Sequence, residues 1–151
     1  MATKNDPQWT AKVKALATEL GVEVTEEEEG WTLDFPISDE NSDETEPVRA
    51  YVDDGWFYVE GGGDTYSDEM DLVGILRSLK DKWYAKVFIF TDESGADLVY
   101  TQCTLPVAGV NSKDVLTTML FEAADTAHII GAGATAEAAG DEENTEEESG
   151  S

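Results

Sequence analysis

Apolar and polar positions along the chain follow two periods, and the switches between them mark out its elements. Trp9, Val13, Leu16 and Leu20 recur at spacings of four, three and four, the repeat of one helical face. Asp6-Pro7 ahead of them offers an N-cap carboxylate and a proline at the first helical position, where its missing N–H costs nothing. Gly21 follows as a C-cap. The period then drops to two. Val22 and Val24 alternate with Glu23 and Thr25, and beyond Glu26-Glu27-Glu28-Glu29-Gly30 the residues Trp31, Leu33, Phe35 and Ile37 alternate with Thr32 and Asp34. That is a hairpin with one wet face.

A second hairpin pairs Val48, Ala50 and Val52 with Trp56 to Val59 across Asp54-Gly55, a strong two-residue turn signal. Gly61-Gly62-Gly63 reads as a flexible linker. Leu72, Val73, Leu76 and Leu79 restore a helical stripe, with Thr65 and Asp68, or Ser67, as its cap. Val87, Phe88, Ile89 and Phe90 form the longest β-forming apolar run, which predicts a central strand covered on both faces. Glu93-Ser94-Gly95 turns it into a partner strand from Leu98 to Leu105. After Pro106, a third helix starts at Asn111 or Ser112, with Val115, Leu116, Met119, Leu120 and Ala123 as its apolar side.

The resulting order is α-β-β-β-β-α-β-β-α, an α+β fold with an antiparallel sheet packed with helices. A chain of 151 residues with 40% hydrophobic content suits one domain, taken as residues 1–130. From Gly131 the sequence is Ala, Gly, Glu and Ser without apolar period, which predicts a disordered acidic tail over 131–151. No apolar run reaches the roughly 18 residues of a membrane span, and no secretory signal opens the chain, so a cytoplasmic location is expected.

Charge changes the picture most. Acids outnumber bases 34 to 9, a formal charge of −25. Such a body repels itself in dilute buffer, and molar salt removes the penalty as the Debye length shrinks to roughly 3 Å. A salt-adapted, halophilic cytoplasm, a basic protein partner and mimicry of nucleic acid are the competing explanations. Nucleic-acid binding is argued against, because no basic stripe exists to neutralise phosphates.

Candidate chemistry is thin. Cys103 lies inside a predicted strand and reads as a buried, inert thiol. His128 is the only histidine and has no companion ligands in its neighbourhood of sequence. Asp39, Asn41 and Asp43 imitate the start of a calcium loop, but Glu44 and Ala50 stand where glycine and a bidentate glutamate belong. Four consecutive glutamates on a turn do not converge on one ion, and the glycine run lacks the lysine and hydroxyl of a phosphate loop. No catalytic residue, metal site or cofactor is therefore expected, and the chain reads as a non-enzyme.

One resemblance spans roughly Trp9 to Ile130. The opening helix ending LATELGVEV, the strands around GWTLDFPI and VRAYVDDGWFYVEG, the helix LVGILRSLK, the hairpin KVFIFTDESGADLVYTQCTLP and the closing EAADTAHII are similar to the type III secretion chaperone-like superfamily, the Tir chaperone-like and YbjN-type domains. The likeness is one of pattern, without an invariant chemical signature. It implies a noncatalytic protein-binding or regulatory module, a homodimer, that binds an extended polypeptide on its sheet and helix surfaces. Trp31, Phe35, Trp56, Tyr58 and Tyr100 are the positions expected to take up the apolar residues of a polypeptide partner, unless they are core. Several of them left uncovered together would mark an interaction site.

Overall fold

The computed structural model describes residues 6–37 and 44–132. Helix α1 (Pro7–Leu20) starts where the Asp6 carboxylate accepts the N–H of Gln8 at 3.0 Å, and it ends at Gly21 in a left-handed turn. Its stripe buries Trp9, Val13 and Leu16. Six strands follow the predicted chain order: β1 (Val24–Glu26), β2 (Trp31–Pro36), β3 (Thr45–Asp53), β4 (Trp56–Thr65), β5 (Ala85–Thr91) and β6 (Asp97–Pro106). All neighbours are antiparallel, in the spatial order β1-β2-β3-β4-β6-β5. The fold is α+β, with the order α-β-β-β-β-α-β-β-α.

Alternation divides the sheet into two faces. Trp31, Leu33, Phe35, Val48, Val52, Phe57, Val59 and Cys103 point to one side and pack with α1 and with α3 (Lys113–Gly131). Trp9 stacks on Phe57 with ring centroids 4.8 Å apart, and Trp31 Nε1 donates to Thr10 Oγ1 at 3.0 Å. Helix α3 is capped by Ser112, whose Oγ accepts the Val115 N–H. Its small residues let it lie close to the sheet: a Cβ on Gly61 would sit 2.8 Å from the Cβ of Ala127.

Four expectations are corrected. Val87 to Phe90 are not a central strand: β5 is an outer edge, and Phe88, Ile89 and Phe90 are 37%, 47% and 49% exposed. β6, not β5, takes the place beside β4, so the long apolar run is left half covered. Gly61 to Gly63 are not a linker but part of β4, with a register shift between Gly62 and Asp64 where Gly62 takes a positive φ of 88°. Because β4 runs to Thr65, the cap of α2 (Leu72–Arg77) is Asp71, whose carboxylate accepts the Gly74 N–H at 3.0 Å. Of that helix only Ile75 is fully buried, against Val99 and Ile130; Leu72 packs beside it and Leu79 is half-buried, while Val73 and Leu76, read from the sequence as part of the stripe, are exposed.

The start of β5 is fixed by a buried acid. Glu122 of α3, 4% exposed, accepts the backbone N–H groups of Trp83 (2.7 Å), Tyr84 (2.7 Å) and Ala85 (3.0 Å). One turn on, Asp125 pairs with Lys82 Nζ at 2.9 Å. Asp39, Asn41 and Asp43 lie outside the described residues, as does the predicted tail beyond Ala132. Among the described residues no helix is long and apolar enough to cross a membrane.

Candidate protein-binding face

Helices cover one side of the sheet, and the opposite side is built entirely from the alternate residues of the same strands. The two-residue Asp54-Gly55 turn, with both residues at positive φ (51° and 84°), fixes the register that sets Tyr51 opposite Tyr58 and Asp53 opposite Trp56. Tyr51 and Tyr58 stack with centroids 4.7 Å apart. At the far side, Tyr100 of β6 stands between Phe88 (5.4 Å, stacked) and Phe90 (5.7 Å, edge-on) of β5.

A polar rung crosses the sheet between these two aromatic groups. Thr32, Arg49, Glu60, Gln102 and Lys86 face one another in successive register pairs. Glu60 Oε2 accepts from Gln102 Nε2 at 2.8 Å and from the Tyr51 hydroxyl at 3.0 Å, and Arg49 lies 3.8 Å from its other oxygen. Arg49 also donates to the Glu29 carbonyl at 2.8 and 3.2 Å, and its guanidinium sits 5.0 Å from the centre of the Tyr51 ring. Burial first, and then the Glu60 carboxylate, hold both the Tyr51 and the Tyr100 hydroxyls above the usual phenol range. Both phenols therefore stay protonated donors at neutral pH.

A groove of about 590 Å³ opens on the outer face beside Tyr100, with Pro47 and Arg49 on one side, Tyr100 and Phe90 on the other, and the backbone of Gly61 and Gly62 as floor. The face carries acids as well as aromatic rings. Asp34, Asp53, Glu60 and Asp92 stand on it, Glu27 accepts from Thr32 at 3.4 Å, and Glu46 lines the groove, against Arg49 and Lys86 as bases.

The five residues singled out from sequence divide between the two faces. Trp31 and Phe35 are core, 0% and 4% exposed, the alternative that the sequence left open for them. Trp56, at 44% exposure, and the half-buried Tyr58 and Tyr100 share the open face. Sequence reasoning missed Phe88, Phe90 and Tyr51. For Tyr51 the signal was present, since the turn register sets it opposite Tyr58.

Glu60 accepts two hydrogen bonds and pairs with Arg49, so its carboxylate is engaged within the sheet. Cys103 is buried, donates to the Met119 carbonyl at 3.4 Å, and has its thiol pushed up to about 12 by burial and then by Glu122. His128 lies on the covered side between Glu44 (3.8 Å) and Glu46 (3.6 Å). Among the described residues no group of three or more histidine, cysteine or acidic side chains is arranged to hold a metal ion. No protein-family model, curated protein or solved structure matches this chain.

Proposed function

We propose that the chain is a noncatalytic protein-binding or regulatory module, which takes up an extended polypeptide segment on the open face of its sheet in a salt-rich cell interior. The observation that carries the reading is the uncovered aromatic face itself: Trp56, Tyr58, Tyr100, Phe88 and Phe90 stand on one side of a sheet whose other side packs against helices. Aromatic side chains with polar handles, grouped around a groove, favour apolar anchors from a partner chain. The likeness to secretion-type chaperones points the same way.

The acidity belongs to the chain as a whole, 34 acids to 9 bases, and fits a surface selected for solvation in concentrated salt.

Capture from native lysate in about 2 M KCl, where long-range charge attraction is screened, tests this. Proteins held by the native chain and lost from Trp56→Ser and Tyr100→Ser variants of unchanged circular dichroism are the expected result. Equal capture by all three chains overturns the face assignment. In the same buffers the thermal midpoint is expected to climb with KCl over the molar range, and a flat response rejects salt adaptation.

A further inference from the structure

The free edge of β5 is the second unsatisfied surface of this fold, and its backbone geometry specifies a partner. The β5–β6 hairpin closes with Asp92 N–H donating to the Ala96 carbonyl at 2.8 Å. In an antiparallel pair, residues alternate between turning both backbone groups toward the neighbour and turning both away. Phe90, Phe88 and Lys86 therefore face β6, and a bond from Thr101 Oγ1 to the Lys86 carbonyl at 2.7 Å agrees. Ala85, Val87, Ile89 and Thr91 turn outward. The N–H of Ala85 is held by Glu122. Nothing among the described residues engages the outward groups of Val87, Ile89 and Thr91.

From this we infer that β5 pairs antiparallel with β5 of a second copy of this chain, with Ile89 on the two-fold axis. That register sets Val87 opposite Thr91 of the second copy and Ile89 opposite itself, so it uses every backbone group of Val87, Ile89 and Thr91. A shift of one pair in either direction wastes some of them or requires the Ala85 N–H already taken. The side chains agree with the backbone. On the open face Phe88 meets Phe90 of the second copy, and Lys86 meets Asp92 of the second copy. Asp92 accepts its three intramolecular bonds, from Ser94 N–H, Ser94 Oγ and Ala96 N–H, through Oδ1 alone, which leaves Oδ2 for the lysine.

Charge and area are compatible. From Lys82 to Thr91 the chain carries no acid, so two copies of a strongly anionic protein meet along acid-free strands, and the first acid beyond them, Asp92, faces a lysine. Trp83, Phe88, Ile89 and Phe90 are 85%, 37%, 47% and 49% exposed. On side chains of roughly 150–250 Å² this is on the order of 450 Å² of apolar surface per copy. Two copies with their backbones reach about 1,000 Å², the lower bound for a specific interface. The pairing continues the sheet across the axis and joins two open faces into one. It stands on the edge geometry and does not depend on the proposed client binding.

Sedimentation of the full chain in about 2 M KCl, at protein concentrations up to about 100 µM, tests the pairing. The native chain is expected to run as a dimer. Ile89→Pro is expected to be monomeric with unchanged circular dichroism, because proline is tolerated on an edge strand where its lost N–H faces outward. Lys86→Glu is expected to weaken the dimer at least ~10-fold. For register, Ile89→Cys is expected to oxidise to a covalent dimer and Lys86→Cys to remain monomeric on a denaturing gel, since Cys103 is buried. A native chain that stays monomeric, an Ile89→Pro chain that stays dimeric, or cross-linking at Lys86→Cys overturns the proposal. These variants leave Trp56 and Tyr58 intact, so loss of mass and loss of captured protein report separately.

Discussion

The two outer strands of the sheet have opposite characters. β1 is three residues long, Val24–Glu26, and runs straight into Glu27, Glu28 and Glu29. A short edge crowded with like charge repels an approaching strand, a common protection against edge-to-edge pairing. β5 is seven residues long, carries no acid, and presents Phe88, Ile89 and Phe90 to solvent. On a chain with 34 acids, an edge of that length without one is the exception. The contrast teaches that the acidity is uneven between the two edges of the sheet. It crowds the end of β1 and is missing from β5 along its whole length.

β5 is also anchored in a way that β1 is not, and the largest expected effect follows from that. The Glu122 carboxylate gathers three backbone N–H groups at the entrance to β5. Glu122→Ala leaves those donors partnerless in a partly buried place, at about 1–3 kcal/mol for each group left unsatisfied, reduced where water reaches it. A net loss of about 2–4 kcal/mol is expected in urea unfolding, with Glu122→Gln, which keeps one acceptor oxygen, losing about half as much. A loss below about 0.5 kcal/mol for the alanine variant would mean that β5 holds its place without the clamp.

The clamp marks where sequence reasoning reached and where it stopped. Short-range signals were legible: Asp6-Pro7, Gly21, Asp54-Gly55 and Ser112 each shape a few residues around them, and each sits where its chemistry requires. The order of strands within the sheet was not. A run such as Val87 to Phe90 is apolar on both sides whether a second sheet neighbour, a helix or another molecule covers it, and periodicity cannot tell these apart. Glu122 was overlooked for a related reason. It stands among Met119, Leu120, Ala123 and Ala124, an acid inside an apolar stripe, and that misfit was its only trace; its partners lie nearly forty residues away. Half of the candidate face was legible, since Trp56 and Tyr58 follow from the turn register, while Phe88 and Phe90 were hidden by the assignment of β5 to the centre.

The turns next to the two edges differ as well, and acid is expected to separate them. In the β5–β6 turn, hydrogen bonds from the Ser94 side chain and the Ala96 backbone hold the Asp92 carboxyl below the usual carboxylate range. A carboxyl whose folded pKa lies below its unfolded value adds stability above the unfolded value, and that stability is lost as pH falls through the folded one. Asp92→Asn is thus expected to lower the thermal midpoint at neutral pH. The gap to the native chain is expected to close in strong acid, when both are read at concentrations low enough to remain monomeric. A gap of constant size down to the lowest pH would show that the carboxylate charge has no part in bracing the turn.

The smallest effect belongs to β1, and it decides how the comparison is to be understood. Replacing Glu26 and Glu27 with threonine removes the nearest charges from that edge without touching the core, since both side chains are exposed. Stability is expected to change by no more than about 0.5 kcal/mol. Self-association through β1 is expected to stay weak even so, because three residues supply few outward backbone groups and no exposed aromatic side chain. If an Ile89→Pro background carrying these two threonines sediments as a monomer, length and side chains set the difference between the edges and the glutamates only reinforce it. If it dimerises, the charge alone was holding β1 apart, and the bare edge of β5 would owe its exposure to nothing more than the absence of acids.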